Sequence, residues 1–185
     1  VPFLQGLITA DARKLEKGEA LYAAMLSPQG KFLHDFFLVK WQDKIWMDCE
    51  AARADDLRKR LLMYKLRSKI VLENAPQEYG VMVEWNTSPP LAGGMKGGDS
   101  ISFPDPRLPA LGTRIIVPRA ALEATGSEAD YDAHRLSLGV PNGSRDLIPE
   151  KSFLLEWGID QLGGVDYQKG CYVGQEVTAR THYRG

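Results

Sequence analysis

The stretch EALYAAMLSPQGKFLHDFFLVKWQDKIWMDC, Glu19 to Cys49, decides the fold class. EALYAAML (19 to 26) is apolar enough for a strand, and SPQGK (27 to 31) supplies turn-forming residues. FLHDFFLVKW (32 to 41) and KIWMDC (44 to 49) then read as a hairpin closed by the pair Gln42-Asp43. The period changes after Cys49. From Ala51 to Leu66 the apolar residues Ala54, Leu57, Leu61 and Tyr64 recur every three or four positions. Asp55 to Lys59 and Asp56 to Arg60 are i,i+4 pairs in the favoured order, so the spacing predicts a helix. SKIVLEN (68 to 74) and GVMVEW (80 to 85), separated by a turn at Pro76, are predicted as two more strands. Three strands, a helix and two further strands make an α+β pattern, with antiparallel sheets and packed helices.

Further along, residues 87 to 110 carry TSPPLAGGMKGG and FPDPRLP, a concentration of proline and glycine expected of a linker. A second unit follows, with TRIIVP as a strand, a short helix near 119 to 125 and another from Tyr131 to Gly139. The expected organisation is therefore a first α+β unit at 1–86, a loop-rich linker at 87–110 and a second α+β unit at 111–185. The chain begins at Val1 without a methionine and stops at RTHYRG inside a patterned segment, as a piece of a longer protein would.

Composition excludes several classes. With 185 residues, 44% hydrophobic and 25% charged, the chain is long enough to bury a core and is not a disordered polymer. A formal net charge of -1 gives no global attraction to nucleic acid or membrane. The apolar runs fall far short of a membrane span and no signal segment opens the chain, so the expected location is cytoplasmic. Two cysteines, Cys49 and Cys171, cannot build a disulfide framework or hold an iron-sulfur cluster by themselves. His34, His134 and His182 show no metal-ligand spacing, and no metal site is expected.

Several groups could carry chemistry. Arg58, Lys59, Arg60, Lys65, Arg67 and Lys69 place six cations within twelve residues, which reads either as a polyanion site or as a solvated helix face. His34 and Asp35 are adjacent on a strand, so their side chains point to opposite faces. In DPRLPALGTR (105 to 114), Arg107 and Arg114 flank a bend and can clamp a carboxylate, although loop arginines are often simply solvated. In KGCYVGQEVTAR, Lys169 to Arg180, a helix is expected from about Val173, with Glu176 and Arg180 an i,i+4 pair. Cys171 then precedes a helix N-terminus with Lys169 nearby, a setting that favours thiolate. The alternative is a small buried cysteine.

KGCYVGQE resembles the signature K-G-C-Y-x-G-Q-E of the YgfZ-type folate-binding proteins, relatives of the T-protein (aminomethyltransferase) of the glycine cleavage system. FLQGLITAD, MLSPQGKFLHDFFLV, LRKRLLMYKLRSKI, DPRLPALGTR and RLSLGVPNGSRDLIPEKSFLLEWGIDQLGGVDYQKGCYVGQEV resemble the family in the same order, over nearly the whole chain. The resemblance implies the aminomethyltransferase fold, subdomains around tetrahydrofolate, followed by a small C-terminal β-barrel that has no counterpart here. It also implies a role in assembly or maintenance of iron-sulfur proteins, with those clients or assembly factors as partners. The implied functional residues are Cys171, Lys169, Gln175 and Glu176 of the motif, and Asp35, Arg107, Arg114 and Tyr172 for the folate.

T-proteins carry two adjacent aspartates in a pattern like G-G-x-x-D-D, where this chain has GKFLHD. His34 replaces the first acid and Asp35 retains the second, which argues against aminomethyl transfer. Two alternatives stand beside the accessory role: a folate-dependent aminomethyltransferase of glycine-cleavage type, and a tRNA-modification-related RNA-binding protein. The first is opposed by His34. Direct nucleic-acid binding is opposed by the net charge of -1.

Overall fold

A computed structural model describes residues 1–74, 78–85 and 100–184. The chain divides into two compact units, one formed by Val1–Asn74 with Asn142–Gly185 and the other by Ala75–Pro141. This differs from a division at 86 and 110. The C-terminal segment returns to the first sheet instead of completing the second, and the physical reason is an uncovered sheet face.

In the first unit, β1 (Leu21–Leu26), β2 (Phe32–Trp41) and β3 (Lys44–Cys49) form an antiparallel sheet in the order β1-β2-β3, with the bounds of β2 and β3 as the sequence predicts. Register places Leu21 opposite Leu38 and Ala23 opposite Phe36. That face packs with Leu57 and Leu61 of α2 (Ala54–Lys65), with Leu4 of α1 (Pro2–Gln5), and with Ile8 and Leu15. Burying Leu57 and Leu61 contributes about 1.5–3 kcal/mol each. The helix is entered by a 3-10 turn at Ala51–Arg53, and Arg60 Nε bonds Asp56 at 2.7 Å as the spacing predicts.

All six residues of β1 are buried, so the other face of the sheet is covered too. There Tyr22 and Phe37 pack at 5.2 Å between ring centroids. The returning segment lies over them: a Cβ on Gly164 would stand 3.1 Å from Tyr22 Cδ1. Phe32 N donates to Ser152 O at 2.9 Å and Glu150 N to Phe32 O at 2.8 Å, which stitches the segment to the start of β2. The predicted strand at 68–74 does not form. Those residues follow α2 instead, with Asn74 Nδ2 on Asp55 Oδ1 at 3.1 Å and Leu72 packed against the core. β-propensity alone does not make a strand without an edge to pair with.

The second unit contains β4 (Tyr79–Glu84), β5 (Ile101–Pro104) and β6 (Thr113–Pro118), antiparallel in the order β4-β6-β5. β5 lies inside the stretch expected as linker; residues 87–99 of that stretch are outside the described residues. Gly112 enters β6 at φ +93°, where a Cβ would meet Glu84 O at 2.0 Å, so only glycine fits. α3 (Glu128–Ser137) starts three residues before the expected Tyr131 because Ser127 and Asp130 form a capping box. The described elements have an α+β layout of antiparallel sheets with packed helices.

Candidate functional site

The motif forms a loop, Lys169 to Gly174, that leads into α5 (Gln175–Arg184). Both ends of the loop are fastened. Lys169 is only 5% exposed, and its Nζ donates to three main-chain carbonyls, Gln5 O at 2.7 Å, Ile8 O at 2.5 Å and Ala10 O at 2.9 Å. Burial pushes its pKa down to about 8, opposed by the charges of Asp11 and Asp166. Three carbonyl acceptors match the three donors of an ammonium. Lys169 is therefore a clamp on the segment after α1, where the sequence reading had placed it as an electrostatic neighbour of the thiol.

At the other end Val173 N donates to Gly6 O at 3.1 Å. Gly174, at φ +83°, lies against the β1–β2 turn, where a Cβ would stand 2.6 Å from Ser27 O. Gly30 of that turn reciprocates at φ +75°: a Cβ there would be 2.9 Å from Val177 Cβ on α5. The glycines of KGCYVGQE thus divide in role. Gly174 permits close approach of two backbones, whereas Gly170 has nothing within 4 Å of a built Cβ.

Between these fastenings Cys171 is exposed. Tyr172 beside it is buried, its ring centroid 4.8 Å from Lys169 Nζ, and burial pushes its phenol pKa up to about 12. Gln175 N donates to Tyr172 O at 3.2 Å, and Glu176 pairs with Arg180 on the exposed surface of α5. The helix begins four residues after Cys171, two later than the sequence suggests.

Cys49 has the opposite setting. Burial first, then the charges of Asp48, Asp35 and Glu50, push its thiol up to about 11. At pH 8 only roughly one part in a thousand of such a thiol is thiolate. Limiting iodoacetamide at pH 8, followed by peptide mapping, is expected to modify Cys171 and leave Cys49 intact. Labelling of Cys49 at a comparable rate would contradict this assignment.

Asp35 and His34 do face opposite ways. His34 is 3% exposed on the α2 side, its Nε2 2.8 Å from Asp56 Oδ2. Burial lowers its pKa, with the Asp56 bond acting against that. Asp35 lies on the other face, where Tyr22 OH donates to its Oδ2 at 2.9 Å. Gly143, at φ +46° in α4 (Gly143–Asp146), packs closely against it: a Cβ there would be 3.0 Å from Asp35 Oδ1. Sequence reading missed Tyr22 and Gly143. The hairpin register carried the Tyr22 signal, since Tyr22 is opposite Phe37, two residues from Asp35.

Arg107 and Arg114 do meet a carboxylate, but it is the protein's own. In the second unit the buried Asp105 accepts from Arg107 N at 3.0 Å, from Nε at 3.0 Å and from Nη2 at 2.8 Å. Arg114 Nη1 is 3.7 Å from the same carboxylate. The D-x-R spacing was the available signal. Among the described residues no group of three or more His, Cys, Asp or Glu is placed to hold a metal ion, and no helix is long and apolar enough to cross a membrane.

No protein-family profile matches the chain. It is similar to curated proteins named iron-sulfur cluster assembly factor IBA57 or its homolog, mitochondrial. It is 34% identical over 210 residues to that of Homo sapiens, spanning 100% of this chain and 58% of the relative. The protein of Mycosarcoma maydis is 33% identical over 207 residues, covering 100% and 50%. That of Neurospora crassa is 31% identical over 204 residues, covering 99% and 46%. The chain spans about half the length of the curated relatives it matches. Among solved structures it is similar to the glycine cleavage system aminomethyltransferase T from Bartonella henselae, with a TM-score of 0.70 at 15% identity, covering 100% of this chain and 58% of that one. The fold is therefore that of the T-protein aminomethyltransferases. The cytoplasmic expectation is corrected by the relatives, which are named as mitochondrial proteins. A compartment is addressed by a targeting segment, and the composition of a folded domain does not carry it.

Proposed function

We propose that this chain is the folded core of a mitochondrial iron-sulfur cluster assembly factor of the IBA57 kind, within the wider YgfZ-type folate-binding group. One observation carries the reading: Cys171 is exposed on a loop fastened at both ends, by the Lys169 carbonyl clamp and by Gly174. A thiol held in this way meets a client or assembly factor at a fixed position without a large ordering cost. It donates one soft sulfur ligand, so it completes coordination shared with a partner and does not hold a cluster alone.

Tetrahydrofolate is the proposed cofactor, and the Asp35 face is the part of the chain that fits it. Asp35 offers a carboxylate acceptor oriented by Tyr22, with the backbone of Gly143 packed close beside it. Arg107 and Arg114 fit the glutamate tail less well, because they are turned to Asp105. When bound, a tetrahydrofolate supplies a one-carbon-accepting nitrogen. Because His34 faces α2, the residue at that position bears little on chemistry at the Asp35 face, and Asp35 is the group to test.

Two variants of the full-length protein test the reading together. Cys171→Ser is expected to abolish support for cluster-dependent enzymes in cells lacking the endogenous factor, with its thermal melt unchanged. Asp35→Asn is expected to weaken tetrahydrofolate binding by about 1.5–3 kcal/mol, the value of a hydrogen bond to a charged group. Full support by Cys171→Ser would remove the thiol from the function, and unchanged affinity in Asp35→Asn would place any folate elsewhere.

A further inference from the structure

We infer that the C-terminal end of α2, with the groove beside it, is a docking surface for an acidic amphipathic segment of a partner protein. The surface combines two features that a merely solvated helix end lacks. From Leu57 to Leu72 the chain contains no acidic residue, and Lys59, Lys65, Arg67 and Lys69 form no ion pair among the described residues. Large apolar side chains stand out between these cations: Met63 is 66% exposed, Leu66 89% and Val71 75%.

Leu66 is the least expected of them. It ends α2 at φ +41° and ψ -115°, a conformation that glycine adopts freely and leucine does not. A strained backbone that presents a leucine almost wholly to water has no folding rationale, and such outliers collect at functional surfaces.

The patch continues into a cavity of about 600 Å³. Met63 and Tyr64 line one side of it, Met25 and Leu33 are buried residues of the sheet beneath, and Arg60 lines it while bonded to Glu150 at 3.1 Å. Another wall is the Ser27–Gln29 part of the β1–β2 turn. Gly174 packs against that same turn, so an occupant of the groove lies against the structure that fastens the Cys171 loop.

The chemistry selects the partner. Aliphatic and thioether groups match the apolar stripe of an amphipathic helix laid in a groove, and the unpaired cations match acids flanking that stripe. RNA is disfavoured. Single-stranded nucleic acid is held largely by aromatic side chains that stack on successive bases, and Tyr64 is the only aromatic group among the patch residues.

The surface gives the proposed thiol function a docking partner but is tested apart from it. The probe is a fluorescein-labelled helical peptide of about 18 residues with leucines at i, i+3, i+4 and i+7 and glutamates elsewhere. Comparison probes replace the glutamates by lysine or the leucines by serine, and an oligouridylate tests nucleic acid. Anisotropy with the full-length protein is expected to give saturable binding of the leucine-glutamate peptide alone. Leu66→Ser, and separately Lys65→Glu with Arg67→Glu, are expected to weaken it about tenfold or more. Leu66 and Arg67 are exposed and Lys65 is partly buried, and circular dichroism checks that the variants stay folded. Equal binding of the lysine peptide, tighter binding of oligouridylate, or variants with unchanged affinity would overturn the docking surface. Cys171→Ser should leave peptide binding intact; loss of binding in that variant would also overturn it. Failure of Cys171→Ser to impair cluster enzymes, with peptide binding preserved, would sink the thiol reading alone.

Discussion

Replacing Lys169 by methionine is expected to lower folding stability by about 3–5 kcal/mol, although the residue sits one position from a fully open glycine and two from an exposed thiol. The length and volume of the side chain are nearly kept, so the loss is of bonding. Gln5, Ile8 and Ala10 each give a carbonyl to the ammonium, and Ile8 is fully buried. A buried acceptor left without a donor costs about 1–3 kcal/mol, and partial hydration of the Gln5 end keeps the sum below three full penalties. The consequence is local before it is global. The clamp holds the segment after α1 against the motif, so Cys171 should lose its fixed position at denaturant concentrations where the sheet survives. Urea unfolding followed by far-ultraviolet circular dichroism measures the loss, and a change below about 1 kcal/mol would show that the clamp is not a main support.

Gly174→Ala is expected to cost about 3 kcal/mol, while Gly170→Ala in the same motif stays within about 0.5 kcal/mol of the parent. Left-handed backbone at φ +83° costs a residue with a Cβ about 1–2 kcal/mol. The new methyl would also press into Ser27 O at 2.6 Å and Leu26 Cβ at 2.8 Å, neither of which is the movable end of a side chain. Relief requires the β1–β2 turn and the start of α5 to separate. At Gly170 no neighbour lies within 4 Å of the added carbon. Thermal melts of the two variants side by side decide the point, and equal destabilisation would mean that the fastening of the loop is not made by Gly174.

Together these variants separate two jobs in KGCYVGQE. Lys169 and Gly174 hold, and Cys171 is held. The motif sets all three side by side, yet of the three only the exposed sulfur is available to another molecule.

Local order was legible from the residues alone. β2, β3 and α2 lie where periodicity put them, because the pleat and the helical turn are set by neighbours within a few positions. The opposition of His34 and Asp35 followed from strand geometry alone. The acids flanking Cys49, Asp48 and Glu50, are visible in the sequence, and the structure adds burial as the larger cause of its raised pKa. What failed was local pattern without a partner. SKIVLEN has strand composition but no ladder, and ISFP, inside a proline-rich stretch, became β5 because β6 offered it an edge. Tertiary structure alone decided where Lys169 sends its charge, since its three acceptors lie more than 150 positions away in sequence. It alone decided that 142–185 joins the first sheet, because only the folded hairpin exposes the face that this segment covers. Periodicity encodes which face of an element is apolar; which distant backbone will satisfy a buried donor depends on the packing of all the elements at once.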